Sequence, residues 1–146
     1  MKITILPKEP GEEDEIIIKC DNPDQSVFGM LNKIKNQNTK MAFYKDSQIC
    51  LVEQKDIFYF ESVDDVVFAY TADEVFETKS KLYQLEFELP RDTFFRANKA
   101  VIVNVDKIKN LSPAFSGRFE AKLKNGYKVI ISRNYVPVLK ELLDLN

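Results

Sequence analysis

The chain has 146 residues, 45% of them apolar and 30% charged, an ordinary globular composition with enough apolar material for a core. It holds no histidine, four glycines and two cysteines, which removes the usual general base of hydrolytic triads, the material for a phosphate-cradling loop and a clustered Cys/His zinc site. The net charge of −2 hides a division, since residues 1–90 carry a net −8 and residues 91–146 a net +6, so the second part suits an anionic partner.

These absences argue against an enzyme, and no cofactor or metal is expected. Cys20 and Cys50 read as two small buried apolar residues. No run approaches the ~18–20 apolar residues of a membrane span. The N-terminus turns acidic at once, without the apolar stretch of a signal peptide, so the expected location is the cytoplasm.

In chain order, Lys2–Leu6 alternates Ile3 and Ile5 with polar neighbours and predicts a strand, and Ile16–Ile18 predicts a second. Asn22-Pro23-Asp24-Gln25 has the form of a helix start, with Asn22 as cap, Pro23 in the first turn and Gln25 completing a capping box. Val27, Met30, Leu31 and Ile34 follow at helical spacing and carry the helix to about Gln37. The polar stretch Asn36–Lys40 is the expected boundary between a strand-strand-helix appendage, residues 1–40, and a β-rich domain, residues 41–146.

Short runs rich in aromatic and β-branched residues then predict strands at Met41–Tyr44, Ile49–Glu53, Ile57–Glu61, Val66–Tyr70 and Glu74–Thr78. Lys81–Leu89 fits either period; Thr78 and Ser80 ahead of it and Pro90 behind it favour a helix. Ala100–Val105, Phe119–Lys124 and Tyr127–Ser132 predict further strands, and Val136–Leu143 a closing helix. Between the last two strands, a two-residue Asn125-Gly126 turn would place Leu123 opposite Lys128. A three-residue loop, Lys124-Asn125-Gly126, pairs Leu123 with Tyr127, Ala121 with Val129 and Phe119 with Ile131, which yields one apolar face and is therefore preferred. The fold class expected is mainly β with short helices.

Three segments resemble the signatures of the LytTR family of DNA-binding domains. Ile57-Phe58-Tyr59-Phe60-Glu61-Ser62 is similar to its Ile-x-Tyr-x-Glu-Ser strand. Phe94-Phe95-Arg96-Ala97-Asn98-Lys99-Ala100-Val101-Ile102-Val103-Asn104 resembles its aromatic-x-Arg segment followed by a basic residue, an apolar strand and an Asn. Leu123-Lys124-Asn125-Gly126, then Ile131-Ser132-Arg133-Asn134-Tyr135, resembles its hairpin ending in Ser-Arg-x-Tyr. Order and spacing agree over roughly residues 42–145.

The resemblance implies an antiparallel β domain that lays loops, instead of a helix-turn-helix, into successive grooves of double-stranded DNA. It assigns base contacts to Lys99 and Arg133, whose side chains can donate to the guanine O6/N7 edge. A third family contact falls near Val67, which at most could meet a thymine methyl. Arg96, Asn98, Ser132, Asn134 and Lys128 are candidate phosphate contacts; Arg96 is equally suited to bracing its loop, and Ser132 and Asn134 to capping the last helix. The short first segment further resembles stand-alone LytTR regulators that lack a phospho-acceptor receiver domain. That implies control by a small membrane-protein inhibitor and binding as a homodimer on direct repeats. The alternative reading is a β-rich protein-interaction module that does not bind DNA, which the acidic first part supports.

Overall fold

The computed structural model describes residues 2–35 and 40–145, the side chains of 32, 33 and 35 excepted, and comprises two units, residues 1–37 and 38–146. The boundary expected at 36–40 lies almost wholly outside the described residues.

In the first unit, residues 2–24 form neither of the two strands expected at Lys2–Leu6 and Ile16–Ile18. Alternating apolar residues become a strand only when a neighbouring strand takes up their N–H and C=O groups, and no described residue does so here. Helix α1 spans Gln25–Lys35 and carries the expected stripe of Val27, Met30, Leu31 and Ile34. Its start lies two residues later than the sequence suggested. Asp24, not Asn22, caps it, with Oδ1 accepting from the Ser26 and Val27 amides at 3.0 and 3.1 Å and from the Ser26 hydroxyl at 2.6 Å. The Ser26 hydroxyl and the Val27 amide hold the Asp24 carboxyl below its usual range. Cys20 is exposed and Cys50 half-buried, so the first cysteine is not the core residue expected.

The second unit is built from ten strands: β1 Lys40–Lys45, β2 Gln48–Glu53, β3 Tyr59–Val63, β4 Val66–Tyr70, β5 Val75–Thr78, β6 Phe94–Asn98, β7 Val101–Asn104, β8 Ile108–Pro113, β9 Phe119–Leu123 and β10 Lys128–Ile131. Helix α2 (Leu82–Glu88) lies between β5 and β6, and α3 (Val136–Leu142) follows β10. Strands pair antiparallel in a seven-stranded sheet ordered β2-β1-β5-β4-β3-β7-β6 and a three-stranded sheet ordered β10-β9-β8. No helix among the described residues is long and apolar enough to cross a membrane.

The large sheet is covered along one face by the α2 segment and, over β3, β7 and β6, on the other face by the small sheet and α3, and strand alternation sorts its residues between two cores. Phe60, Val67, Ala69, Phe94 and Ile102 pack with Leu82, Leu85 and Leu89 of the α2 segment. Tyr59, Phe95, Ala97, Val101 and Val103 pack with Ala121, Leu123, Val129 and Ile131 of the small sheet and with Val136 and Leu139 of α3. Rings of Tyr70, Tyr59 and Tyr127 stack in series, 4.3 and 4.5 Å between centroids, and tie the two sheets together. Burial, then the neighbouring Tyr127, pushes the Tyr59 phenol far up, so it stays neutral through the physiological range.

Left-handed backbone closes several hairpins of the second unit. Asp46-Ser47 and Asp64-Asp65 close two-residue hairpins with φ of 50°, 64°, 51° and 65°. Asp tolerates this region and Ser less well, so Ser47→Gly should raise stability by about 1 kcal/mol in urea titration; no gain would show the turn to be unstrained. The β9–β10 hairpin adopts the three-residue loop. Val129 pairs with Ala121 and Ile131 with Phe119, the Leu123 amide donates to the Tyr127 carbonyl at 2.8 Å, and Gly126 has φ +88°.

Two strands, β6 and β8, went unread in the sequence. Phe94–Asn98 carries no sequence assignment, its adjacent Phe94 and Phe95 breaking the alternation of apolar with polar residues, and Ile108–Pro113 has weak alternation and a proline tolerated because β8 is an edge strand. Helix α2 is capped not by Thr78 or Ser80 but by Gln84, whose Oε1 accepts from the Lys81 amide at 2.8 Å.

Candidate nucleic-acid interface

The small sheet ends where β9 begins and β10 stops, and three loops meet there. The β6–β7 turn holds Lys99, the loop 114–118 between β8 and β9 holds Arg118, and a 3-10 turn, Arg133–Tyr135, follows β10. Two hydrogen bonds tie the end of β6, which carries the first loop, to the end of β10, which leads into the third. The Ser132 amide donates to the Ala97 carbonyl at 2.8 Å, and Asn98 Nδ2 donates to the Ile130 carbonyl at 2.7 Å. The second meets the third at Gly117, where an added Cβ would lie 3.2 Å from Cγ and Cδ of Arg133.

Ser116, Arg118, Ser132, Arg133 and Asn134 line a cleft of about 280 Å³ between these loops. Lys99, Arg118 and Arg133 are all exposed, and among the described residues none of the three is in an ion pair. Three unneutralised cations beside two hydroxyls and an amide form a donor-rich surface suited to phosphates and base edges. A larger cleft of about 600 Å³ is lined by Glu53, Asp56, Asp73 and Glu74 along with Lys40 and Lys107; its carboxylates make it a poor site for a polyanion.

The residues expected to contact DNA sort differently. Lys99, Arg133 and Asn134 are exposed on the three-loop surface, with Ser132 half-buried beneath, its hydroxyl 3.4 Å from the Ala97 carbonyl. Arg96 is occupied within the fold. Alternation along β6 sets it on the same side as Phe94, toward α2, and its side chain is 17% exposed. Its Nε donates to the Asn98 carbonyl at 2.8 Å, NH2 to the Lys99 carbonyl at 2.7 Å, and NH1 to Glu86 Oε2 at 2.9 Å. It shapes the Lys99 turn from behind. Asn98 likewise spends both ends of its amide, since Oδ1 also accepts from the Ala100 amide at 2.8 Å. Neither presents itself to phosphate. Val67 is 2% exposed in the α2-side core, because its β4 parity faces inward, so it cannot meet a thymine methyl. Lys128 stands on the outer face of the small sheet opposite Lys122, 3.5 Å from Glu120.

Arg96→Ala should lower stability by about 2–3 kcal/mol in urea, since two charge-assisted bonds to turn carbonyls are lost; the exposed Glu86 pairing adds little. An unchanged midpoint would return Arg96 to the surface. Arg118 was missed as a candidate. Its only sequence signal was membership of the basic segment, and what marks it is the antiparallel register that sets the start of β9 beside the end of β10.

Residues 47–144 match the family model of the LytTr DNA-binding domain. The sensory transduction protein LytT of Bacillus anthracis is 32% identical over 143 residues, a match covering 92% of this chain and 58% of that protein, so the chain spans little more than half that relative's length. An uncharacterized HTH-type transcriptional regulator of Staphylococcus aureus strain MSSA476 is 30% identical over 148 residues, covering 99% of each. Among solved structures, the LytTr DNA-binding domain of a methyl-accepting/DNA response regulator from Bacillus cereus superposes with a TM-score of 0.69 at 26% identity, covering 72% of this chain and 96% of that one.

Proposed function

The chain belongs to the LytTR family of DNA-binding domains, and from that membership we propose that it is a cytoplasmic, sequence-specific transcription regulator that reads major-groove bases with Lys99 and Arg133. The gathering of Lys99, Arg118 and Arg133 on three adjoining loops, none of them ion-paired among the described residues, carries this reading. Arg133 contributes the planar fork that fits guanine O6 and N7, and Lys99 a flexible point charge. Arg118, Asn134 and the hairpin lysines Lys122 and Lys128 meet phosphates along the flanking backbone. Carboxylates concentrate in residues 1–90, so the net acidity of the chain leaves a locally basic surface, felt within a Debye length of ~8–10 Å. A family of DNA-binding domains argues against an enzymatic role. By the same resemblance, two molecules occupy direct repeats, and a small membrane protein restrains the chain in place of phosphorylation; phosphoryl transfer onto a specific aspartate would overturn that control.

The test is retention of duplex DNA over a salt series. A regulator of this kind loses affinity steeply with added salt as counterions return to freed phosphates. No retention of any duplex at low salt would favour the protein-interaction module instead. Gly117→Ala provides a finer check, because φ of +76° disfavours a side chain and the new methyl would displace Arg133. Specific binding should fall severalfold with a scrambled duplex little affected. Wild-type selectivity in that variant would free Arg133 from its seat on the loop.

A further inference from the structure

We infer that Phe115 is a further base-contacting residue, its ring meeting a thymine C5-methyl beside the base pair read by Arg133. The inference rests on the DNA-binding reading above. Phe115 is 90% exposed on the loop 114–118. It packs into neither core, yet its loop is tightly built. The Ala114 amide donates to the Arg118 carbonyl at 2.8 Å, and Ser116 and Gly117 take φ of 62° and 76°. A disordered loop could fold such a ring away, whereas this one holds it out beside Ser116 and Arg118, two residues from the contact with the Arg133 stem.

The α2 residue Phe87 is comparably exposed, at 81%, but lies on a helix that covers the opposite face of the large sheet from α3 and the small sheet. Phe115 alone of the two adjoins the cationic loops. A loop adjoining a major-groove arginine enters the same groove, where the single apolar feature offered by a base edge is the thymine methyl. Stacked base pairs are about 3.4 Å apart along a strand, so a ring two residues from the arginine's seat reaches the neighbouring pair. This would also supply the methyl contact that Val67, buried in the core, cannot make.

The experiment begins with sites selected by the full chain from a random duplex pool. Each thymine of a selected site is then replaced by deoxyuridine, which removes only the methyl group. Affinity is measured for the wild type and for Phe115→Ala, whose exposed position leaves folding intact. One uracil, adjacent to the pair whose substitution Arg133→Ala no longer detects, should weaken wild-type binding about fourfold, the value of one buried methyl. The same uracil should leave Phe115→Ala binding unchanged. Equal sensitivity of both proteins to every uracil, or wild-type affinity of Phe115→Ala for the selected site, would overturn the assignment. A chain that enriches no sequence would overturn the DNA-reading proposal itself, and this contact with it.

Discussion

Arg133→Ala is expected to weaken binding to a matched duplex about tenfold or more while leaving a scrambled duplex nearly unchanged. The side chain leaves the end of β10 in a 3-10 turn, and its stem rests on Gly117, where no Cβ intrudes. Such a seat limits the rotamers the arginine must give up on binding, so more of the bidentate contact survives as affinity. Arg133→Lys should rescue little, because an ammonium lacks the fork. Lys99→Ala should show the same selectivity more weakly. The measurement is affinity for both duplexes at two salt concentrations. An equal loss on matched and scrambled DNA would reduce Arg133 to a phosphate contact, and no loss on either would remove it from the interface.

The largest stability effect is expected at Asn104, the asparagine that closes β7. It is fully buried, donating from Nδ2 to the Ile57 carbonyl at 2.8 Å and accepting on Oδ1 from the Asp106 amide at 3.0 Å. One side chain, itself fully buried, thus joins the approach to β3 to the 3-10 turn after β7. Asn104→Ala orphans two backbone groups at about 1–3 kcal/mol each, for a loss of about 2–6 kcal/mol in a fold whose whole stability is of order 5–15 kcal/mol. Asn104→Asp should be worse near neutral pH than near pH 4. Burial raises the carboxyl's folded-state pKa above its unfolded value. The penalty therefore grows as pH climbs above the unfolded pKa and the buried group is asked to ionise, while the protonated acid can still donate to Ile57. Urea midpoints for the wild type, Asn104→Ala and Asn104→Asp decide it. An Asn104→Ala midpoint matching the wild type would mean the two backbone groups find other partners.

Much of this molecule was legible wherever a local pattern had one solution. The Met41–Tyr44, Ile49–Glu53 and Val66–Tyr70 segments announce themselves by composition and by the turn residues beside them, and the β9–β10 register follows from requiring one apolar face. Where the pattern was local but its partner was not, the reading failed. Ile3 and Ile5 alternate with polar residues and Ile16–Ile18 is a β-branched run, yet among the described residues neither has a ladder to join; Phe94–Asn98 and Ile108–Pro113 have ladders that their own residues scarcely advertise.

The same distinction separates the candidate contacts. The residue types at Lys99 and Arg133, and their place in a family pattern, were determined by the sequence alone, as was the basic character of residues 91–146. Which side each cation faces was decided only in three dimensions. Period-two alternation separates a strand's residues into two sets, but a sheet covered on both faces offers no solvent side from which to tell the sets apart. Thus Arg96 turned toward α2 to brace a turn, Val67 turned into a core, and Arg118 arrived beside Arg133 because β9 and β10 run antiparallel. Side-chain chemistry is a property of the residue, whereas its accessibility is a property of what packs against it, and those neighbours come from distant parts of the chain.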